Sequence, residues 1–90
     1  MNIFCTPLYE QQLKIILEKQ SKEDFEATKK FKLYLDTILI NLPTKANKYK
    51  KALLFDDEDI KEIPHEEFNI LFFIDKISGH YLILAILPKQ

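Results

Sequence analysis

Side chains able to act on a substrate are few in this 90-residue chain, and most of them fall in its second half. Lys50 and Lys51 stand where an extended segment begins, and Lys89 lies at the end of the sequence, so each could meet a phosphate. His65 follows Pro64 in a loop and is the residue best suited to move a proton near neutral pH. Each also has an ordinary use. A lysine pair beside a strand is commonly a solvated flank, and a histidine between a proline and two glutamates is commonly on the surface. His80, at a hairpin end, has similarly weak claims.

The remaining chemistry is bounded by what is missing. All thirteen basic residues are lysine, so bidentate guanidinium recognition of a phosphate or carboxylate is not available. Cys5 is the single cysteine and has no internal partner, which excludes a disulfide scaffold and points to a reducing compartment, the cytoplasm. A small buried core residue is its expected role. Asp56, Asp57, Glu58 and Asp59 lack the glycine and alternating spacing of an EF-hand, so they read as a solvated turn and no metal is expected. No glycine-rich phosphate loop exists, because the only glycine, Gly79, is needed in a turn; no cofactor is expected. A net charge of -1 leaves no overall field to hold nucleic acid. The charges are nonetheless segregated, with Lys45, Lys48, Lys50 and Lys51 ahead of the acidic run.

Hydrophobic residues at 47% and charged residues at 30% predict a folded chain, and its length predicts one domain over residues 1–90. Residues 2–5 read as a short strand, and Thr6-Pro7 as the cap and first turn of a helix. Tyr9, Leu13, Ile16 and Leu17 recur at helical spacing. Ser21 with Asp24 resembles a capping box opening a second helix through Leu42, where Pro43 ends it. The short connection predicts an antiparallel helical hairpin. Residues 52–55 are a short apolar run, and 60–63 alternate before Pro64, as in an edge or bent strand. Residues 68–74 and 81–87 are the strongest strand signals, joined by a turn at Ser78-Gly79. The expected class is α+β: a short N-terminal strand, a helical hairpin, then a three- to four-stranded antiparallel sheet. No apolar stretch reaches the roughly 20 residues that cross a bilayer, and residues 1–7 lack the form of a signal peptide, so no membrane role is expected.

The hairpin strands carry an imbalance. Simple alternation sets Phe68, Ile70, Phe72 and Ile74 against Asn69, Leu71 and Phe73, and sets Tyr81, Ile83, Ala85 and Leu87 against Leu82, Leu84 and Ile86. Both faces are apolar, whereas a half-solvated antiparallel sheet shows polar residues on one. Two helices joined by a tight turn cover one face. The other needs a partner, unless twist and loops close it. Burying ~400 Å² there would contribute about 10 kcal/mol before association costs. The face carrying Asn69, Leu71, Phe73, Ile83, Ala85 and Leu87 is the expected partner-binding surface.

This order of elements resembles the RelE/ParE family of bacterial toxins from toxin–antitoxin pairs. The likeness spans nearly the whole chain and is carried by residues 2–13 (NIFCTPLYEQQL) and 49–74 (YKKALLFDDEDIKEIPHEEFNILFFI). It implies a cognate antitoxin that wraps the toxin with a helix or extended segment, supplying the missing cover. It also implies one of two actions: ribosome-dependent cleavage of mRNA, as in RelE-like members, or binding and poisoning of DNA gyrase, as in ParE-like members. Cleavage by a ribose 2'-hydroxyl needs a base, positive charge for the phosphorane and an acid for the leaving oxygen. Lys50, Lys51, His65 and Lys89 are the whole kit for that. Asn69 stands where the nuclease branch has an arginine, and near the chain end only Lys89 keeps a basic function. The likeness therefore implies a binding toxin, with a lysine-based endonuclease as the alternative. An inactive relative that pairs with its own copy as a homodimer is a third reading.

Overall fold

The computed structural model describes residues 2–90. Thr6 and Pro7 start the first helix as their types dictate: Thr6 Oγ1 accepts from the Tyr9 N–H at 3.1 Å, and Pro7 occupies the first turn, where its missing donor costs nothing. The helix, α1 (Pro7–Glu23), follows the strand β1 (Ile3–Cys5). The helix α2 (Phe25–Ile40) comes next after a single extended residue, Asp24. The capping box expected at Ser21 does not form. Ser21 lies inside α1 with its hydroxyl donating to the Glu18 carbonyl, and Asp24 is itself the cap, its Oδ1 accepting from the Ala27 N–H at 3.1 Å. Nothing before Asp24 breaks α1, so the helix runs on until a side chain offers its backbone a better bond. α2 ends at Ile40 instead of Leu42, and Pro43 enters the first turn of a short helix, α3 (Leu42–Lys45).

The other strands are β2 (Lys50–Lys51), β3 (Ile60–His65), β4 (Phe68–Asp75) and β5 (His80–Pro88). They join β1 in one five-stranded sheet of order β1-β5-β4-β3-β2. β1 runs parallel to β5, with Ile3 opposite Tyr81, and every other pair is antiparallel. The α+β class and helical hairpin are as expected; the sheet gains β1 at one edge. At the other edge, β2 is the two lysines, and the apolar run after them leaves the sheet in a turn. The Ala52 N–H still donates to the Ile60 carbonyl at 2.8 Å. Gly79 has φ +76, a left-handed conformation, and closes the β4–β5 turn expected there. Asp75 Oδ1 accepts from the Ile77 and Ser78 N–H groups in that turn, and the Ser78 hydrogen bonds hold its carboxyl below the usual range.

The helices pack on one face of the sheet. Phe31, Leu35 and Leu39 of α2 and Tyr9 of α1 meet Ile63, Ile70, Phe72 and Ile86 in the main core. Simple alternation fails in β5. Leu71 lies opposite Ala85 but Phe72 lies opposite Ile83, so Leu84 is an extra residue in a β-bulge. Beyond it the strand swaps faces: Tyr81, Ile83 and Ile86 turn to the helices, while Ala85 and Leu87 turn away. Ile83 is thus fully buried under the helices, which corrects its assignment to the partner-binding face.

Candidate functional site

The second face of the sheet is built around Ala52, Leu71 and Ala85, all buried, with Ile60, Leu84 and Leu87 packed against them. Ala52 reaches this face because β2 ends early and the chain turns over the sheet. Lys51 fixes that turn, its Nζ donating to the Phe55 carbonyl at 2.6 Å. The acidic run continues the loop: Asp57 Oδ1 accepts from the Asp59 N–H, and Asp59 pairs with Lys76 at 3.0 Å. The loop therefore covers part of the second face from within the chain.

The cover is incomplete. Leu53 and Leu54 are 89% and 60% exposed, and they form the lip of a hollow of about 240 Å³ with Asn69, Leu71, Leu87 and Lys89. Asn69 and Leu87 are direct partners in the β4–β5 ladder, and Glu62, opposite Leu71, supplies a carboxylate to the same hollow. Phe73 lies farther along this face, opposite Leu82. Phe55 and Phe4 add exposed apolar surface, and the Phe4 ring meets the His80 ring edge-on at 5.2 Å between centroids. Of the six residues expected to bind a partner, Asn69, Leu71 and Leu87 line the hollow, Ala85 is buried next to Leu71, Phe73 is half-buried, and Ile83 is on the opposite side. Leu53, Leu54 and Glu62 were not among the expected residues. For the two leucines the signal was an apolar run directly beside an acidic one.

The four residues expected for phosphoryl chemistry do not meet. Lys89 is exposed at the hollow. Lys50 is exposed opposite Glu62 and lines an adjoining hollow with Tyr49 and Pro64, which shares Glu62 and Asn69 with the first. Lys51 is engaged by the Phe55 carbonyl. His65, expected on the surface, is buried on the helix side at 7% exposure. Its Nε2–H donates to the Phe31 carbonyl at 3.1 Å, and its ring lies 4.7 Å from the Phe31 ring. The cause is alternation in β3, which sends Ile63 and His65 toward the helices. Cys5, expected in the core, is exposed on the edge strand β1. Partial desolvation, with Glu10 adding to it, pushes its thiol pKa up and away from the reactive thiolate. Among the described residues no cluster of three or more His, Cys, Asp or Glu could hold a metal, and no helix is long and apolar enough to cross a membrane.

What this arrangement can do is bind. It offers an apolar lip, a ladder pair carrying one amide, and one carboxylate and one ammonium at the margins. No family model matches the chain, and no curated protein matches it. A solved structure described as the chromosomal ParDE TA system from P. aeruginosa matches 100% of this chain and 97% of its own, with a TM-score of 0.70 and 14% sequence identity. At that identity the likeness speaks for the fold, and it bears out the RelE/ParE-like architecture expected from the sequence.

Proposed function

We propose that this chain is the toxin of a toxin–antitoxin pair, that its antitoxin covers the second face of the sheet, and that it acts in the cytoplasm by binding a protein target, DNA gyrase on the family precedent. The whole-chain likeness to a ParDE structure supports the toxin reading. The observation that carries the binding site is the pair of exposed leucines, Leu53 and Leu54, at the lip of the hollow shared by Asn69, Leu71 and Leu87. Contiguous apolar surface left open beside a half-covered sheet face is what a partner segment buries. Binding is favoured over RNA cleavage because His65 is held beneath the helices by Phe31, on the other side of the sheet from Lys89.

Expression of the chain alone and with its neighbouring gene tests the pair. Growth arrest alone, relief on co-expression, and an equimolar complex on purification are expected; unchanged growth with no complex overturns the reading. Inhibition of DNA supercoiling by purified gyrase is the expected activity. A ribosome-dependent endonuclease is the second reading, favoured by Lys89 beside Asn69 in the hollow. Cleavage of ribosome-bound mRNA that is lost in Lys89→Ala would establish it.

A further inference from the structure

A larger groove, about 600 Å³, lies between the α1–α2 junction and the β3–β4 turn. Its floor is apolar, formed by Ile16, Ala27, Phe31 and Phe68. Its rim is acidic. Glu23 and Asp24 contribute from the helix junction and Glu66 and Glu67 from the strand turn, against one cation, Lys19. The four carboxylates face a common space but have few cations to satisfy them: the three ion pairs found among the described residues, Lys29–Glu26, Lys32–Asp36 and Lys76–Asp59, involve none of them. The groove also holds an acceptor without a donor. Gln20 lines it, and its Oε1 is shielded from solvent with no hydrogen-bond partner. Left without a donor, this oxygen is a weak point of the groove wall, relieved when the Gln20 side chain turns toward an incoming N–H. The turn that brings Glu66 to the rim has the one left-handed non-glycine residue among those described, Glu66 itself at φ 51.

We infer that this groove is a second docking site, and that it takes a cationic, apolar-anchored peptide segment of a partner protein: an aliphatic side chain on the Phe31–Phe68 floor, flanked by lysine or arginine reaching the carboxylate rim. Charge complementarity selects this occupant. An acidic segment meets four carboxylates, and a purely apolar one leaves them facing no cation but Lys19. The aliphatic stems of lysine and arginine suit such a site, since they cover apolar floor while the charged head stays at the rim. The inference stands apart from the toxin reading, because the groove shares only Pro88 with the hollow of the second face, and neither Leu53, Leu54, Asn69 nor Leu71.

The test is a titration of the isotope-labelled full chain, followed by amide shifts, with two synthetic peptides of alternating leucine and either arginine or glutamate. The arginine peptide is expected to shift Gln20, Ala27, Thr28 and Phe68 saturably while leaving Leu53, Leu54 and Leu71 in place. Its affinity is expected to fall about tenfold in the Glu23→Lys, Glu67→Lys double variant and with rising salt. Thermal melting establishes that the variant is folded; Asp24 is left unchanged because it caps α2. Equal binding of the glutamate peptide, shifts confined to the second face, or no localised shift overturns the proposal. Concentration-dependent shifts at the same amides without peptide would assign the groove to a second copy of this chain and overturn it equally.

Discussion

His65 and Phe31 join the end of β3 to α2 through a hydrogen bond from the His65 Nε2–H to the Phe31 carbonyl oxygen at 3.1 Å, spanning 34 positions in sequence. The same two rings pack together, and Phe68 meets the Phe31 ring edge-on with centroids 5.8 Å apart. His65 thus works as a core residue of the helix–sheet junction. His65→Ala is expected to lower unfolding free energy by about 2–4 kcal/mol, the sum of a lost hydrogen bond and a cavity. Denaturant unfolding measures this. A loss below 0.5 kcal/mol, the range of ordinary surface changes, would contradict it.

The bulge at Leu84 separates two residues that alternation alone would place together. Ile83 is fully buried under the helices, and Leu87 is half-buried on the second face. Ile83→Ala is expected to cost about 2–5 kcal/mol and Leu87→Ala about 1 kcal/mol. Paired thermal melts read the difference. Equal losses would mean that the two side chains share an environment after all.

Leu53 and Leu54 are too exposed to matter to the fold. Leu53→Asp with Leu54→Asp is expected to shift stability by no more than about 0.5 kcal/mol for each change. The same double variant is expected to weaken capture by the neighbouring gene's product at least tenfold, about 1.4 kcal/mol, as read by calorimetry. Capture at unchanged affinity in a folded double variant would remove the lip from the proposed interface.

Tyr9 carries a hydroxyl that is buried without a partner, in a residue only 2% exposed. Burial raises its pKa above the ordinary value of 10.0, with Cys5 and Asp36 adding to the effect. The folded chain therefore keeps the proton after the unfolded chain has lost it. Stability from this group is complete below pH 10.0 and falls as pH rises through the folded value. Tyr9→Phe is expected to remove the alkaline loss and, by deleting an unpaired polar group, to raise stability near neutrality by about 1 kcal/mol. Melting temperatures taken from pH 7 to 11 report both effects. An alkaline loss identical in the two proteins would assign the titration elsewhere.

Much of the architecture was legible in local features. Thr6-Pro7 and Gly79 act within a few residues of themselves, so their helix start and hairpin turn could be read directly. The apolar surplus of residues 68–87 likewise announced a sheet with two greasy sides. Where a choice depends on a distant partner, local features do not decide it. Ser21 and Asp24 both had cap chemistry, and the helix hydrogen bonds chose the second. Cys5 was placed in the core by type, but β1 lies at a sheet edge.

The fate of Ile83 and His65 marks the boundary most clearly. Composition and periodicity were enough to establish an α+β chain whose hairpin strands need cover on both sides, because backbone preference and side-chain period are properties of neighbouring residues. Which side Ile83 faces depends on the strand opposite adding no residue to match Leu84. Whether His65 is a surface base or a core post depends on a carbonyl in a helix 34 residues earlier. Those are long-range packing equilibria, settled by which side chains fill the space between sheet and helices; alternation turns His65 to the helices only because β3 stays paired with β4 through Pro64.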